Sequence, residues 1–171
     1  TYESEGEQNP LPKLKARALL PPPFLFDVSV VDSDGMVVAS TQPSEAGSRV
    51  AQDELQTLRR DNVLSISRPW KNPVTGEWKL RFSRRLNSAD GAFSGIAMVE
   101  VDAAYFVSSY DASKLGNQGT LGLLGTDGIF RVWRTGEVVL AGDAVDYTAV
   151  VPDNETTEAV LAINGWDGVR R

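Results

Sequence analysis

Residues 28–40 read VSVVDSDGMVVAS, and residues 121–133 read LGLLGTDGIFRVW. Each stretch is an apolar run, a turn that ends in Asp-Gly, and a second apolar run. Asp-Gly accepts the positive φ angles of tight turns, so each stretch predicts a β-hairpin. The two pairs begin at Asp34 and Asp127, which are 93 residues apart (127 − 34 = 93), about the length of one small domain. The repeat therefore predicts two related modules in tandem.

The residues after the first hairpin predict a sheet with helices packed against it. Residues 50–60 predict a short amphipathic helix with Val50, Leu55 and Leu58 on one side. The order strand, strand, helix and three further strands predicts an α+β fold built on a five-stranded antiparallel sheet. The predicted strands are residues 24–31, 36–40, 62–68, 77–86 and 93–101, and a helix capped by Asp102 is predicted at residues 103–115.

The second hairpin opens a module that continues less regularly. Residues 136–154 are rich in loop formers around a short apolar stretch at residues 137–141. Residues 156–164 predict either a helix or a third strand. Two long strands follow the equivalent stage of the first module, so we expect the second module to be incomplete in this chain.

Composition argues against several classes of activity. The formal net charge of −6 disfavours general binding to nucleic acid or anionic membranes, because such binding needs clustered Lys and Arg. Cysteine and histidine are absent, which excludes thiol nucleophiles, disulfides, the usual zinc sites and histidine-dependent triads. We therefore expect no enzyme activity in this chain, no cofactor, no metal site and no nucleic-acid partner.

Four stretches of the chain follow a pattern that is shared with known proteins: VVDSDGMVVAS (30–40), SISRPWKNPVTGEWKLRFSRRL (65–86), DGAFSGIAMVEVDAAYF (90–106) and LGNQGTLGLLGTDGIF (115–130). In this order they resemble the PAS-like Cache family of extracytoplasmic sensor domains, especially its double-Cache type, and so imply a PAS-like fold. These domains occur in bacterial membrane receptors, among them histidine kinases, chemoreceptors and diguanylate cyclases. Similar strings are commonest in receptors whose cytoplasmic output makes or degrades cyclic-di-GMP.

The resemblance implies an organisation for the whole chain. Residues 1–23 would be a linker and the end of a stalk helix, residues 24–116 the membrane-distal sensor lobe, and residues 117–171 part of the membrane-proximal lobe. The chain would be the extracytoplasmic (periplasmic) portion of an inner-membrane protein, joined to the membrane only through flanking segments outside it. The full-length receptor would form a homodimer through its stalk helices.

The family's ligand pocket lies on the distal sheet, under the loop and helix between the second and third strands. Arginine grips a carboxylate with two parallel hydrogen bonds, and tryptophan supplies an apolar or cation–π wall. Such a pocket would suit a small carboxylate or an amine-bearing metabolite. The resemblance places six candidates there: Arg68, Trp70, Trp78, Arg81, Arg84 and Glu100.

Structural roles are the alternative for some of these residues. Trp78 would fill the core, and Arg84 would pair with an acidic residue such as Asp90. Residues 68–70 (Arg-Pro-Trp) are similar to the Arg-x-Trp-Tyr stretch of amino-acid-sensing relatives, but Lys71 stands where those relatives have Tyr. This departure counts against amino-acid specificity.

The sequence thus predicts an extracytoplasmic domain that senses a small molecule and signals through a stalk helix to a cytoplasmic output. The alternative is a structural or protein-interaction module whose pocket is filled by its own side chains. Such a module would bind no small-molecule ligand.

Overall fold

The described residues form two sheets, and each contains one of the repeated hairpins. The structure, a computed structural model, describes residues 26–42, 45–108, 114, 116 and 119–145. The first part contains β1 (Phe26–Asp32), β2 (Val37–Ser40), α1 (Gln52–Arg60), β3 (Ser65–Ile66), β4 (Trp70–Lys71), β5 (Trp78–Asn87) and β6 (Phe93–Asp102). It is followed by α2 (Tyr105–Ser108), β7 (Thr120–Leu124), β8 (Phe130–Thr135) and β9 (Val138–Leu140).

The first sheet has the strand order β2-β1-β6-β5-β3, and β4 pairs with β5 off this path. The five strands of the path correspond to the five predicted from the sequence. β1 lies between β2 and β6 and pairs with β6 in antiparallel register from Phe26↔Val101 to Asp32↔Gly95. The α+β, PAS-like fold class predicted from the sequence is therefore confirmed.

By its internal contacts the chain divides into two compact units. The first unit holds the described residues up to Ser67 together with Leu80–Asp102, and the second holds Arg68–Lys79 together with the described residues from Ala103 onward. The division falls within β5, so Trp78 belongs to the second unit and Arg81 to the first. The predicted linker at residues 1–23 and the predicted element at residues 156–164 lie outside the described residues.

Helix α1 supplies much of the core of the first unit. Leu55 and Leu58 are 2% and 1% exposed, and they join an apolar cluster that includes Val31 and Ile96. Burying one such side chain contributes about 1.5–3 kcal/mol. Because the apolar side of α1 packs down on the sheet, polar residues of its first turn are held next to the sheet as well.

One predicted strand is shorter than expected. The strand predicted at residues 62–68 forms only at Ser65–Ile66. The amide of Ser67 still donates to the carbonyl of Arg81 at 2.9 Å, but the amide of Arg81 bonds the hydroxyl of Ser67, also at 2.9 Å, and not a backbone carbonyl. The helix predicted at residues 103–115 begins at Tyr105 and is described as far as Ser108; before it, the amide of Ala103 donates to the carbonyl of Trp78 at 2.8 Å. Residues 109–113 lie outside the described residues.

The two hairpins share one register when their numbers are offset by 93. Both also shift register at the same place, between Val30 and Val31 in the first and between Leu123 and Leu124 in the second. The corresponding pairs are Ser29↔Ser40 with Gly122↔Trp133, Val30↔Ala39 with Leu123↔Val132, and Val31↔Val37 with Leu124↔Phe130.

The repeat extends beyond the hairpins to a returning segment that the sequence did not reveal. This segment bonds the second strand and the turn glycine in both copies, and it begins at a positive-φ glycine, Gly47 (φ 85°) or Gly142 (φ 93°). In the first copy, Gly47 N donates to Val37 O, Val37 N to Ser48 O, and Val50 N to Gly35 O. The second copy repeats these three bonds in the same order: Gly142 N to Phe130 O, Phe130 N to Asp143 O, and Val145 N to Gly128 O.

Candidate functional site

A buried ion pair joins two of the predicted site residues. Arg81 on β5 donates to Glu100 Oε1 on β6, from Nη2 at 2.5 Å and from Nε at 2.9 Å. Glu100 is 7% exposed, so its carboxylate has little contact with water and Arg81 is its main polar partner. Burial lowers the pKa of Arg81, but the hydrogen bond and charge of Glu100 outweigh that effect and raise it. Arg81 therefore remains a cation.

Glu54 links helix α1 to the same strand. Its Oε2 lies 3.4 Å from Arg81 Nη1, and its Oε1 accepts a hydrogen bond from the hydroxyl of Ser83 at 3.0 Å. Ser83 is 1% exposed, so this hydroxyl needs a partner within the protein. A first-turn carboxylate is also favoured by the dipole of α1.

Glu45 adds a third carboxylate to this group. Burial raises the pKa of Glu45, and repulsion from Glu100 raises it further, while Arg81 and a hydrogen bond from Ser29 act in the opposite direction. The hydroxyl of Ser29 donates to Glu45 Oε2 at 3.4 Å. We call Glu45, Glu54, Arg81 and Glu100 the Arg81 cluster; it holds three carboxylates and one guanidinium.

A cavity of about 280 Å³ lies beside the Arg81 cluster. Glu54 belongs to both, and Ser67, which lines the cavity, accepts the hydrogen bond from the amide of Arg81. The volume is near the lower end for small-molecule sites and suits a compact metabolite. All five lining side chains present oxygen atoms: Asp53, Glu54, Thr57, Ser65 and Ser67.

Arg84 does not join this group. It is exposed on β5, and its side chain makes no hydrogen bond or ion pair with any other described residue. The partner suggested by the sequence, Asp90, instead accepts hydrogen bonds from the hydroxyl of Ser88 and the amide of Ala92. The hydrogen bond from Ser88 lowers the pKa of Asp90. The expected Arg84–Asp90 pair is therefore wrong.

Trp70 and Trp78 lie on the β4–β5 pairing of the second unit. Lys71 is opposite Trp78, and its Nζ lies 5.8 Å from the centroid of that ring. Trp78 is half-buried and does not fill a core as the structural alternative expected. Trp70 Nε1 is buried and has no hydrogen-bond partner among the described residues.

Arg68 also lies in the second unit, where it pairs with an aspartate of the repeated turn. Its Nε is 3.0 Å from Asp127 Oδ2, and Arg131 Nη1 is 2.9 Å from Asp127 Oδ1. Burial raises the pKa of Asp127, but the hydrogen bonds from Arg131 and Arg68 outweigh burial and lower it to about 2. The sequence assigned Asp127 only a turn role, so this three-residue group was missed.

Sequence reasoning also missed Glu54 and Glu45. One signal was available for Glu54, because it precedes the buried Leu55 and lies four residues before the buried Leu58. It is therefore on the border of the apolar side of α1. Nothing comparable marks Glu45, which lies in a loop.

Comparison with known proteins identifies the fold. No protein-family model and no curated protein sequence matches the chain. Among solved structures, the extracellular domain of rpHK1S-Z16, which has been assigned as a histidine kinase, is 23% identical with a TM-score of 0.63. The match covers 93% of this chain and 67% of that one. This likeness shows the PAS-like fold of extracellular sensor domains, so the Cache resemblance is confirmed at the level of fold.

Two further structures match less closely. The ligand-binding domain of the amino acid chemoreceptor PctB of Pseudomonas aeruginosa PAO1, in complex with L-Gln, is 18% identical over 68% of this chain and 50% of its own, with a TM-score of 0.47. An extracellular ligand-binding receptor from Desulfohalobium retbaense DSM5692 is 21% identical over 61% of this chain, with a TM-score of 0.47. The match spans 20% of the latter's length.

The described residues contain neither a candidate membrane-spanning helix nor a candidate metal-binding cluster. No helix in this part of the chain has the length and apolar character to cross a bilayer. Within the same residues, no group of three or more Asp and Glu side chains is arranged to hold a metal ion.

Proposed function

We propose that this chain is the extracytoplasmic sensing region of a bacterial membrane receptor, and that its first unit binds a small amine-bearing metabolite. The observation that carries the proposal is the charge of the Arg81 cluster beside the cavity. Three carboxylates there face one guanidinium, and Asp53 on the cavity wall adds a fourth negative charge. The fold of the first unit is one used by extracellular sensor domains.

The same charges disfavour a carboxylate ligand. Arg81 already donates to Glu100 and contacts Glu54, so a ligand carboxylate would have to displace one of these acids. It would also bring a further negative charge into a group with an excess of negative charge. A ligand ammonium instead offers three N–H donors and no acceptor, which suits a wall of carboxylate and hydroxyl oxygens.

Glu54 provides a route from binding to signalling. It is the residue of α1 that contacts both Arg81 and the cavity, so an ammonium that pairs with Glu54 weakens its hold on β5. The ligand would then favour one of two arrangements of α1 on the sheet, and only such differential affinity shifts an equilibrium. In this proposal the receptor passes the shift through a stalk helix to a cytoplasmic output such as a cyclic-di-GMP enzyme.

A thermal-shift screen tests the proposal. We expect amines and diamines to raise the melting temperature in a saturable manner, and carboxylates without an amine to have no effect. Glu54→Gln should abolish the rise. Arg84→Gln, which changes an exposed residue of the same strand, should preserve it.

One observation favours a second candidate, the structural or protein-interaction module. Arg81 is fully engaged by acids of its own chain, as expected of a pocket that satisfies itself. No shift with any member of a broad panel of amines, amino acids and carboxylates would favour this candidate and contradict the sensor proposal.

A further inference from the structure

Arg59 and Arg85 place two guanidinium groups against one aromatic ring in the first unit. Arg59 Cζ lies 5.1 Å from the centroid of the Phe93 ring, and Arg85 Cζ lies 5.6 Å from it. Arg59 is in the last turn of α1, Arg85 is on β5, and Phe93 begins β6 and packs against the apolar core. Three elements thus fix the position of this arginine pair.

Neutral acceptors hold both guanidinium groups in place. Arg59 Nη2 donates to the carbonyl of Ser33 at 2.6 Å. Arg85 Nη1 donates to the carbonyl of Arg59 at 2.8 Å, and its Nε donates to the side-chain oxygen of Asn87 at 2.7 Å. The pair is therefore ordered without the use of a counter-charge.

The more buried arginines of the described residues differ in this respect. Arg81, Arg131 and Arg134 each form an ion pair with a carboxylate. Neither Arg59 nor Arg85 forms an ion pair with a carboxylate in the described part of the chain. Two positive charges that lie against the same ring, with no carboxylate paired to either in this part of the chain, attract an anion.

Each guanidinium keeps N–H groups for a ligand. Arg59 Nε and Nη1 and Arg85 Nη2 have no hydrogen-bond partner among the described residues, out of five N–H donors on each group. The exposed carbonyls at the end of a helix normally disfavour an anion. Here Arg85 covers the Arg59 carbonyl, and the amide of Asp61 bonds the Thr57 carbonyl at 2.9 Å, which reduces that effect.

We propose that Arg59 and Arg85 together bind a phosphate group. Guanidinium groups match the spacing of phosphate oxygens and form two parallel N–H···O bonds to them. The site shares no residue with the cavity beside the Arg81 cluster, so it goes beyond the proposed amine sensing. The phosphate can belong to a free small molecule or to the headgroup of an anionic lipid.

Calorimetric titration of the 171-residue chain with inorganic phosphate, at constant ionic strength against chloride, tests the site. We expect saturable binding, and an increase in Kd of about tenfold for Arg59→Gln and for Arg85→Gln. The matched control is Arg60→Gln, because Arg60 is the next residue of α1 and already pairs with Asp61 at 3.0 Å. This variant should bind phosphate as the parent chain does.

Three outcomes would overturn the proposal. The first is that the chain shows no saturable binding of phosphate. The second is that Arg60→Gln loses as much phosphate affinity as Arg59→Gln and Arg85→Gln do. The third is that Arg85→Gln lowers the melting temperature and leaves the affinity for phosphate unchanged. The last would mean that the two arginines only shield Phe93. Glu54→Gln should leave phosphate binding unchanged, so failure here and failure of the amine proposal are separate results.

Vesicles distinguish the two sources of phosphate. If the ligand is a lipid headgroup, the chain should cosediment with phosphatidylglycerol vesicles and not with phosphatidylcholine vesicles, and Arg59→Gln should abolish this. If it is a free molecule, binding to inorganic phosphate should occur without binding to either vesicle. Both results support the site, and absence of saturable phosphate binding contradicts it whatever the vesicles show.

Discussion

The guanidinium of Arg81 and the carboxylate of Glu100 meet at 2.5 Å on neighbouring strands of the first sheet. Their side chains are 26% and 8% exposed, so neither charge is well solvated without the other. Removal of one partner from such a pair costs more than removal of both, because the remaining charge stays buried. A substitution of Arg81 or Glu100 alone should therefore lower the stability of the first unit more than substitution of both residues together.

Arg81→Met should lower the free energy of unfolding by about 3–5 kcal/mol, since it leaves Glu100 buried without its cation. Urea denaturation at pH 7 measures the change. Arg84→Met alters an exposed residue of the same strand and should change stability by less than about 0.5 kcal/mol. The double variant Arg81→Met/Glu100→Met should be more stable than Arg81→Met; a strictly additive loss would contradict the buried pair.

Glu45→Gln should stabilise the protein at pH 7 and have little effect near pH 4. The pKa of Glu45 in the fold is raised above its ordinary 4.5, mainly by burial and then by Glu100, so ionisation of Glu45 opposes folding. This cost is absent below pH 4.5 and grows as the pH rises through the raised pKa. Melting temperatures at the two pH values check the sign. Glu137→Gln, at a side chain that is 92% exposed, is the control.

Asp127→Asn should show the opposite dependence on pH. The pKa of Asp127 is lowered to about 2, so its ionised form stabilises the fold above the ordinary value of 3.8. This contribution is lost as the pH falls from about 4 towards 2. Unfolding followed at pH 6 and pH 3 should show a larger deficit of the variant at pH 6. A deficit that is the same at both pH values would contradict the ion pairs with Arg68 and Arg131.

Gly95→Ala should destabilise the first unit by about 3 kcal/mol or more. A Cβ at Gly95 would lie 2.1 Å from the carbonyl oxygen of Val31, and φ there is 149°, so the β1–β6 pairing would have to open. Gly76→Ala is the comparison, because Gly76 has φ of 74° and no atom within 4 Å of the added Cβ. It should cost about 1–2 kcal/mol. Denaturant midpoints rank the two variants, and equal costs would rule out the steric explanation.

Local chemistry made the hairpins and α1 predictable from the sequence. The Asp-Gly turns depend on residues a few positions apart, and the apolar side of α1 is set by Leu55 and Leu58, which are buried together with Val50 just before the helix. The pairing of β4 could not be predicted from neighbouring residues, because β4 pairs with β5 and the position of β5 is set by the rest of the sheet. The length of β3 could not be predicted for the same reason, since β3 also pairs with β5.

The candidate site was predictable only in part. Arg81 and Glu100 were among the predicted residues, and they do form a pair. Glu54 was missed, because a glutamate on a helix is usually solvated and its role here depends on the position of β5. The contact of Arg59 and Arg85 with Phe93 was missed for a similar reason, since 26 residues separate the two arginines (85 − 59 = 26). The family resemblance grouped Arg68, Trp70 and Trp78 with Arg81, but the structure assigns them to the other unit.

The two copies of the Asp-Gly turn differ in the sequence range of their carboxylate contacts. In the first copy, Asp32, two residues before Asp34, bonds the amides of Asp34 and Met36, two and four residues away. In the second copy, Asp127 bonds the amide of Ile129 and the side chain of Arg131, two and four residues away, and also bonds Arg68, which is 59 residues away. A contact of short range closes in microseconds, while one of long range waits for the chain between its partners to be organised. We therefore expect the first hairpin to acquire protected amides early in refolding, and the second turn to be completed only after β4 and β5 have formed.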